Sequence, residues 1–145
     1  MTKELVGQDI AKQVSAQIPE AVLEAGDSSI VIKTELLLQV VQFLNTAPSL
    51  KFNYLNCITG VDYLDCIEVV YHLSSMEHNH MVVLKVRCDR DNPEVSSIFS
   101  VFRGADYQER EIYDLLGVKF EGHPNLKRLF MWEGFEGYPL RRDYL

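Results

Sequence analysis

The chain has 145 residues, 47% of them hydrophobic and 24% charged, which suits one globular domain with one core and argues against disorder, a repeat array or two large domains. Lys and Arg number 14 against 21 Asp and Glu, giving a net charge of −7 and a pI near 5.0. A generic nucleic-acid binder needs a basic surface, so that class is disfavoured.

No apolar run approaches the roughly 20 residues of a membrane helix. Leu36-Leu37-Leu38 is interrupted at Gln39, and Met81-Val82-Val83-Leu84 stops at Lys85. Met1 to Asp9 has no apolar signal-peptide core, so the expected location is the cytosol, or docked onto something there. Cys57, Cys66 and Cys88 form no C-x-x-C or C-x-x-H pattern. They read as small buried hydrophobes, not as a disulfide framework or as zinc or iron–sulfur ligands.

Ile10, Val14 and Ile18 are spaced for a helix over residues 8–18, ended by Pro19. Gly26-Asp27-Ser28-Ser29 predicts a turn, and residues 29–33 a short strand. Thr34 predicts a cap for a helix over 35–45. Period-two alternation predicts three strands: 50–58, one carrying Ile67, Val69, Tyr71 and Leu73, and one carrying Val82, Leu84, Val86 and Cys88. They form a meander with hairpin links at 60–65 and 74–79. Asn92-Pro93 predicts a helix start, with Val95, Ile98, Phe99 and Phe102 as its apolar stripe. A further helix spans 106–116, with Asp106 and Glu109 as a capping-box-like pair and Gly117 as its terminating residue. The fold class is α+β: a small, mostly antiparallel sheet with helices packed on it.

From Val118 the composition changes, giving an α+β domain over 1–117 and an extended tail over 118–145. Gly, Pro and aromatic residues crowd the tail. Residues 1–122 carry a net −8, whereas Lys127, Arg128, Arg141 and Arg142 against Glu133, Glu136 and Asp143 give residues 123–145 a net +1. Such a tail either lies across a partner, using aromatic and Arg anchors, or wraps its own domain.

The densest polar stretch is Glu109-Arg110-Glu111-Ile112-Tyr113-Asp114. On a helix Arg110 can pair with Asp114, and Glu111 shares a face with Asp114. Paired carboxylates can do acid–base work or hold a cation. The plainer reading is a helix face that docks basic groups, including the tail's own Arg residues. His78-Asn79-His80 beside Glu77 offers a weak chelate, but its place between strands suggests a solvated hairpin tip. His72 reads as an outer-face strand residue. His123 beside Pro124 reads as a turn residue whose ring holds a backbone group. A free-standing metal-dependent hydrolase using Glu77, His78, His80 or His123 is the remaining enzyme reading, without motif support.

Glu109 to Val118, then Phe120-Glu121-Gly122-His123-Pro124-Asn125-Leu126-Lys127-Arg128-Leu129, then Gly134 to Tyr144, resemble the 30-kilodalton subunit of NADH:quinone oxidoreductase, respiratory complex I. Ile58 to Tyr63 and Val69 to Leu73 agree with its first strands. Tyr107, Leu116 and Tyr138 stand where many members have Trp, Phe and His. The resemblance covers about residues 50–144. It implies a peripheral-arm subunit on the cytoplasmic face of the cell membrane that binds no metal or cofactor itself. Flavin and iron–sulfur clusters belong to partner subunits, and the chain packs against the large quinone-site subunit and near cluster-bearing subunits of the peripheral arm. The implied motif and interface residues are Glu109, Arg110, Glu111, Asp114, Gly117, His123, Pro124, Arg128, Gly137, Pro139, Arg141, Arg142 and Asp143. Among them Arg128, Arg141 and Arg142 are expected to pair with acidic groups of a neighbour. The equivalent subunit of a complex I-related membrane-bound [NiFe] hydrogenase is the alternative.

Overall fold

The structure, a computed structural model, describes residues 3–4, 7–26, 29–132 and 136–141. Its elements are β1 (Lys3–Glu4), α1 (Gly7–Gln17), β2 (Val22–Ala25), β3 (Ser29–Ile32), a 3-10 turn (Thr34–Leu36), α2 (Leu37–Thr46), β4 (Tyr54–Asp62), β5 (Cys66–Ser75), β6 (His80–Asp89), β7 (Glu94–Ser96), α3 (Ala105–Leu116) and β8 (Lys119–Glu121). This is the expected α+β class.

The meander is present. Strands β4, β5 and β6 are antiparallel neighbours in a sheet of order β2-β3-β6-β5-β4, with β3 and β1 parallel to β6. Ile67, Val69, Tyr71 and Leu73 pair with Cys88, Val86, Leu84 and Val82, and every one of these side chains is buried. Ile10 and Val14 of α1, four apolar residues of α2, and Ile112 and Leu116 of α3 join the same core. Fully burying one such side chain contributes about 1.5–3 kcal/mol.

Four local expectations are corrected. The first meander strand runs over Tyr54–Asp62, because the register shifts between Leu55 and Cys57 and leaves Asn56 as a bulge. Leu55 therefore pairs with Leu73 and Ile58 with Tyr71, both on the core face at a spacing of three. Thr34 caps no helix. It opens the 3-10 turn, and α2 starts after Leu36 without a side-chain cap. Residues 92–102 form no helix: β7 pairs in parallel with β8, Val95 lying opposite Phe120. The apolar positions Val95, Ile98 and Phe102 are still buried, so the stripe is real but its geometry is strand then turn. Finally, Val118 and Phe120 belong to the core, so the irregular stretch begins after Glu121. Strand β2 is an addition to the expected elements; its Leu23 is 57% exposed, and it lies at the sheet edge with no clear alternation. Asp27 and Ser28 of the expected turn lie outside the described residues.

Two histidines are placed by their partners. Nε2 of His78 donates to Pro48 O and that of His80 to Leu50 O, each at 2.9 Å. His78 is exposed as expected, but His80 opens β6 and is buried. Among the described residues no group of three or more His, Cys, Asp or Glu side chains is arranged to hold a metal ion.

Candidate functional site: the clasp on the third helix

Helix α3 is fixed to the sheet by close approach at Gly60. A Cβ there would stand 2.5 Å from Leu116 Cδ1 and 3.3 Å from Ile112 Cγ2. The helix ends where Gly117 takes φ 81° and donates its N–H to Tyr113 O at 2.9 Å, the left-handed ending expected of glycine. Its start differs from expectation, because Gly104 is the N-cap and no side chain caps it.

Glu109 turns inward. It is fully buried, accepts from Ser97 Oγ at 2.5 Å and from Ile98 N–H at 2.9 Å, and so ties the turn after β7 to α3. Burial pushes its pKa up to about 7 against the pull of those two donors, and nearby Asp106 adds to the rise. The Tyr71 hydroxyl, also buried, has no hydrogen-bond partner among the described residues, and burial together with the Glu109 charge holds its pKa well above the ordinary value.

One turn further along, Asp114 is equally buried in a different setting. Its Oδ2 accepts three successive amides, from Leu129 at 3.1 Å, Phe130 at 2.6 Å and Met131 at 3.0 Å, while Oδ1 accepts from Arg128 Nη1 at 3.2 Å. Burial raises its pKa, but the three amides and the guanidinium outweigh that and hold it below the ordinary carboxylate value. Two acids five residues apart on one helix are thus shifted in opposite directions, because Asp114 meets three amides and a guanidinium whereas Glu109 meets one amide and one hydroxyl.

Arg128 and Arg141 complete the clasp. Arg128 Nη2 donates to Gly137 O at 2.8 Å, and Gly137 has φ 88°. Arg141 Nε donates to Leu116 O at 2.7 Å and its Nη2 to Arg90 O at 3.2 Å, so it satisfies one of the last carbonyls of α3. Between them lies Tyr138, with the two guanidinium carbons 5.1 Å and 5.5 Å from its ring centroid. Arg110 adds bonds from Nε to Lys127 O and from Nη2 to Arg128 O, at 3.2 and 3.3 Å. His123 Nδ1 accepts from Asn125 N–H at 2.9 Å, which leaves Nε2 to face Asp106, 3.0 Å from Oδ1 and 3.3 Å from the main-chain oxygen. The turn role expected of this ring is therefore seen. Pro124 is exposed and Pro139 half-buried in the same stretch.

Most of the motif residues thus converge, but with partners other than those expected. Arg110 does not pair with Asp114, and Glu111 does not share a site with it. Glu111 is exposed and forms no hydrogen bond or ion pair among the described residues, whereas Asp114 is covered by residues 128–131. Among the described residues the acid that Arg128 meets is Asp114 of its own chain, and Arg141 meets backbone carbonyls. Through residue 132 and over 136–141 the tail wraps its own helix. Arg142 and Asp143 lie outside the described residues. Ser97 carries no sequence signal of its own, and Gly60, expected in the hairpin link 60–65, lies instead within β4, where a glycine permits close approach.

Residues 30–145 match the family described as the respiratory-chain NADH dehydrogenase, 30 kDa subunit. The chain belongs to that family. It is 41% identical over 141 residues to an NADH-quinone oxidoreductase subunit of Roseiflexus sp. (strain RS-1), covering 92% of this chain and 81% of the relative. Two solved structures share the fold at 24% identity. A chain of the membrane-bound sulfane sulfur reductase, an archaeal respiratory membrane complex, superposes with a TM-score of 0.75 over 95% of this chain and 85% of that one. The trypsin-resistant fragment (1–134) of Nqo5 does so with a TM-score of 0.62 over 82% of this chain and 98% of the fragment. The motif that carries the family resemblance in sequence is the clasp itself: Glu109, Arg110 and Asp114 on the helix, Arg128 and Arg141 on the returning strap.

Proposed function

We propose that the chain is a non-catalytic structural subunit of the peripheral arm of a proton-translocating NADH (or other donor):quinone oxidoreductase. In this reading it docks onto the large quinone-site subunit, lies near the cluster-bearing subunits, and supports electron transfer to quinone without holding flavin, cluster or quinone. Its place is the cytoplasmic face of the cell membrane. Among the described residues no helix is long and apolar enough to cross the membrane, which fits attachment through the complex.

The observation that carries the reading is how the motif is used. Glu109, Arg110, Asp114, His123, Arg128 and Arg141 each bind main-chain groups of their own domain, which is what holding a shape requires. A rigid support matters for rate, since a misplacement of about 1 Å around a reacting centre can cost roughly 10²-fold.

Affinity purification of the tagged chain from gently solubilised membranes, with mass spectrometry and metal analysis, tests this. Recovery of an assembly rich in iron and free of nickel, with a quinone-site subunit, is expected. A nickel-bearing large subunit would move the chain to the related hydrogenase, and recovery of the chain alone would refute both.

A further inference from the structure

Strand β4 ends the sheet, and among the described residues its outer edge is paired with nothing. Antiparallel pairing alternates the direction of backbone groups. Tyr63 N–H bonds to Cys66 O across the hairpin, so Asp62, Gly60 and Ile58 turn their main-chain groups away from β5. Ile58 N–H confirms the parity by donating outward to Gln108 Oε1 at 2.6 Å. Gly60 has no such cap and makes no hydrogen bond on that side among the described residues.

Folded proteins usually guard a free edge with Lys, Pro, short length or a covering loop. The opposite edge, β2, is guarded by its length of four residues and an exposed Glu24. Strand β4 is nine residues long, Tyr-Leu-Asn-Cys-Ile-Thr-Gly-Val-Asp, with neither Lys nor Pro. The bulge at Asn56 and the Gln108 cap guard its first half only.

Beside the unguarded half runs a groove of about 200 Å³, lined by Gly60, Ile112, Leu115, Leu116, Leu140 and, at its rim, Glu111. Cofactor and drug-sized sites run to about 300–1,000 Å³, so this space suits a side chain or two. Leu140 is 61% exposed, and Tyr63 and Leu64 at the hairpin tip are 49% and 57% exposed. That tip is rigid: Leu64, at φ 73°, donates its N–H to Asp62 Oδ1 at 2.9 Å, and Asp62 is ion-paired with Arg90.

We propose that the free edge of β4 and the groove beside it receive an extended segment of a partner subunit, which adds as a strand and sets a Lys or Arg against Glu111. Open main-chain groups call for an extended chain, the apolar floor calls for a Leu- or Val-sized side chain, and a carboxylate unpaired among the described residues, on a chain of net charge −7, calls for a cation. The proposal rests on the subunit reading above and names its docking surface.

The test is a photo-crosslinking phenylalanine analogue placed at Thr59, exposed on β4 and outside the clasp, with the complex purified intact from membranes. The expected crosslink is to one extended stretch of another subunit, with a Lys or Arg within a few residues of the crosslinked position. Crosslinking to a second copy, to residues 142–145 of the same chain or to a helical surface would overturn it, as would no crosslink in a complex that retains the chain. Failure to recover any complex would overturn the subunit reading as well. In parallel, Glu111→Arg is expected to lower retention of the chain about tenfold without moving its own melting temperature. Reversal of the partner's base to Glu should restore retention. Unchanged retention of Glu111→Arg would overturn the proposal.

Discussion

Buried Asp114 and part-buried Arg128 form an ion pair at 3.2 Å, and the three amides that follow Arg128 close on the same carboxylate. One acid therefore fixes both the start of the strap and its direction over α3. Removing it takes the acceptor from three amides and the counter-charge from a part-buried guanidinium, a loss of about 3 kcal/mol, the low end of the range for breaking a buried pair. Asp114→Ala is expected to lower the unfolding free energy by that amount and to speed amide exchange at residues 129–131. Hydrogen exchange followed by mass spectrometry reads it.

The same carboxylate sets an acid limit. Its pKa is lowered on folding, so its contribution is complete above the unfolded value of about 3.8 and is lost as pH falls through the folded value below that. Asp114→Asn should flatten the stability curve below about pH 4 in urea titrations and leave its slope above pH 5 unchanged.

Glu109 acts with the opposite sign. Its folded pKa of about 7 lies above the ordinary 4.5, so the folded state holds the proton more tightly. Stability falls as pH rises between the two values, by about 3 kcal/mol across the full window at 1.36 kcal/mol per pH unit. Glu109→Gln should remove that slope between pH 5 and 7 and be relatively more stable than the parent at pH 8. Denaturant midpoints across that range measure it.

Tyr71 carries a buried hydroxyl with no partner among the described residues. A lone buried polar group costs about 1–3 kcal/mol. Tyr71→Phe should therefore be neutral or stabilising, with a melting temperature equal to or above the parent's, although the residue lies at the centre of the core.

The apolar core was readable from period two in β5 and β6 and from the helical spacing of α1, because both patterns have no rival geometry over that length. Residues 92–102 were misread for a physical reason. A spacing of 95, 98 and 102 fits a helix, but it fits equally a short strand followed by a single turn, and the choice is made by distant groups: Phe120 across β8 and the Glu109 carboxylate that takes the Ile98 N–H. Glu109 itself was legible as important through its motif but not as a buried acid, since Ser97 lies 12 residues away in sequence. The pairing of Asp114 with Arg128 was within reach of the helix-face reading. The engagement of Arg141 with Leu116 O was not, because no residue pattern marks a backbone carbonyl.

The central claim is that the motif holds architecture and does no chemistry. The most direct measurement is quinone reductase turnover per assembled complex in membranes carrying Asp114→Asn, with the amount of complex quantified separately. Less complex, with unchanged turnover in each one that forms, is the expected result. Full assembly with turnover lost would contradict it and place Asp114 in the reaction.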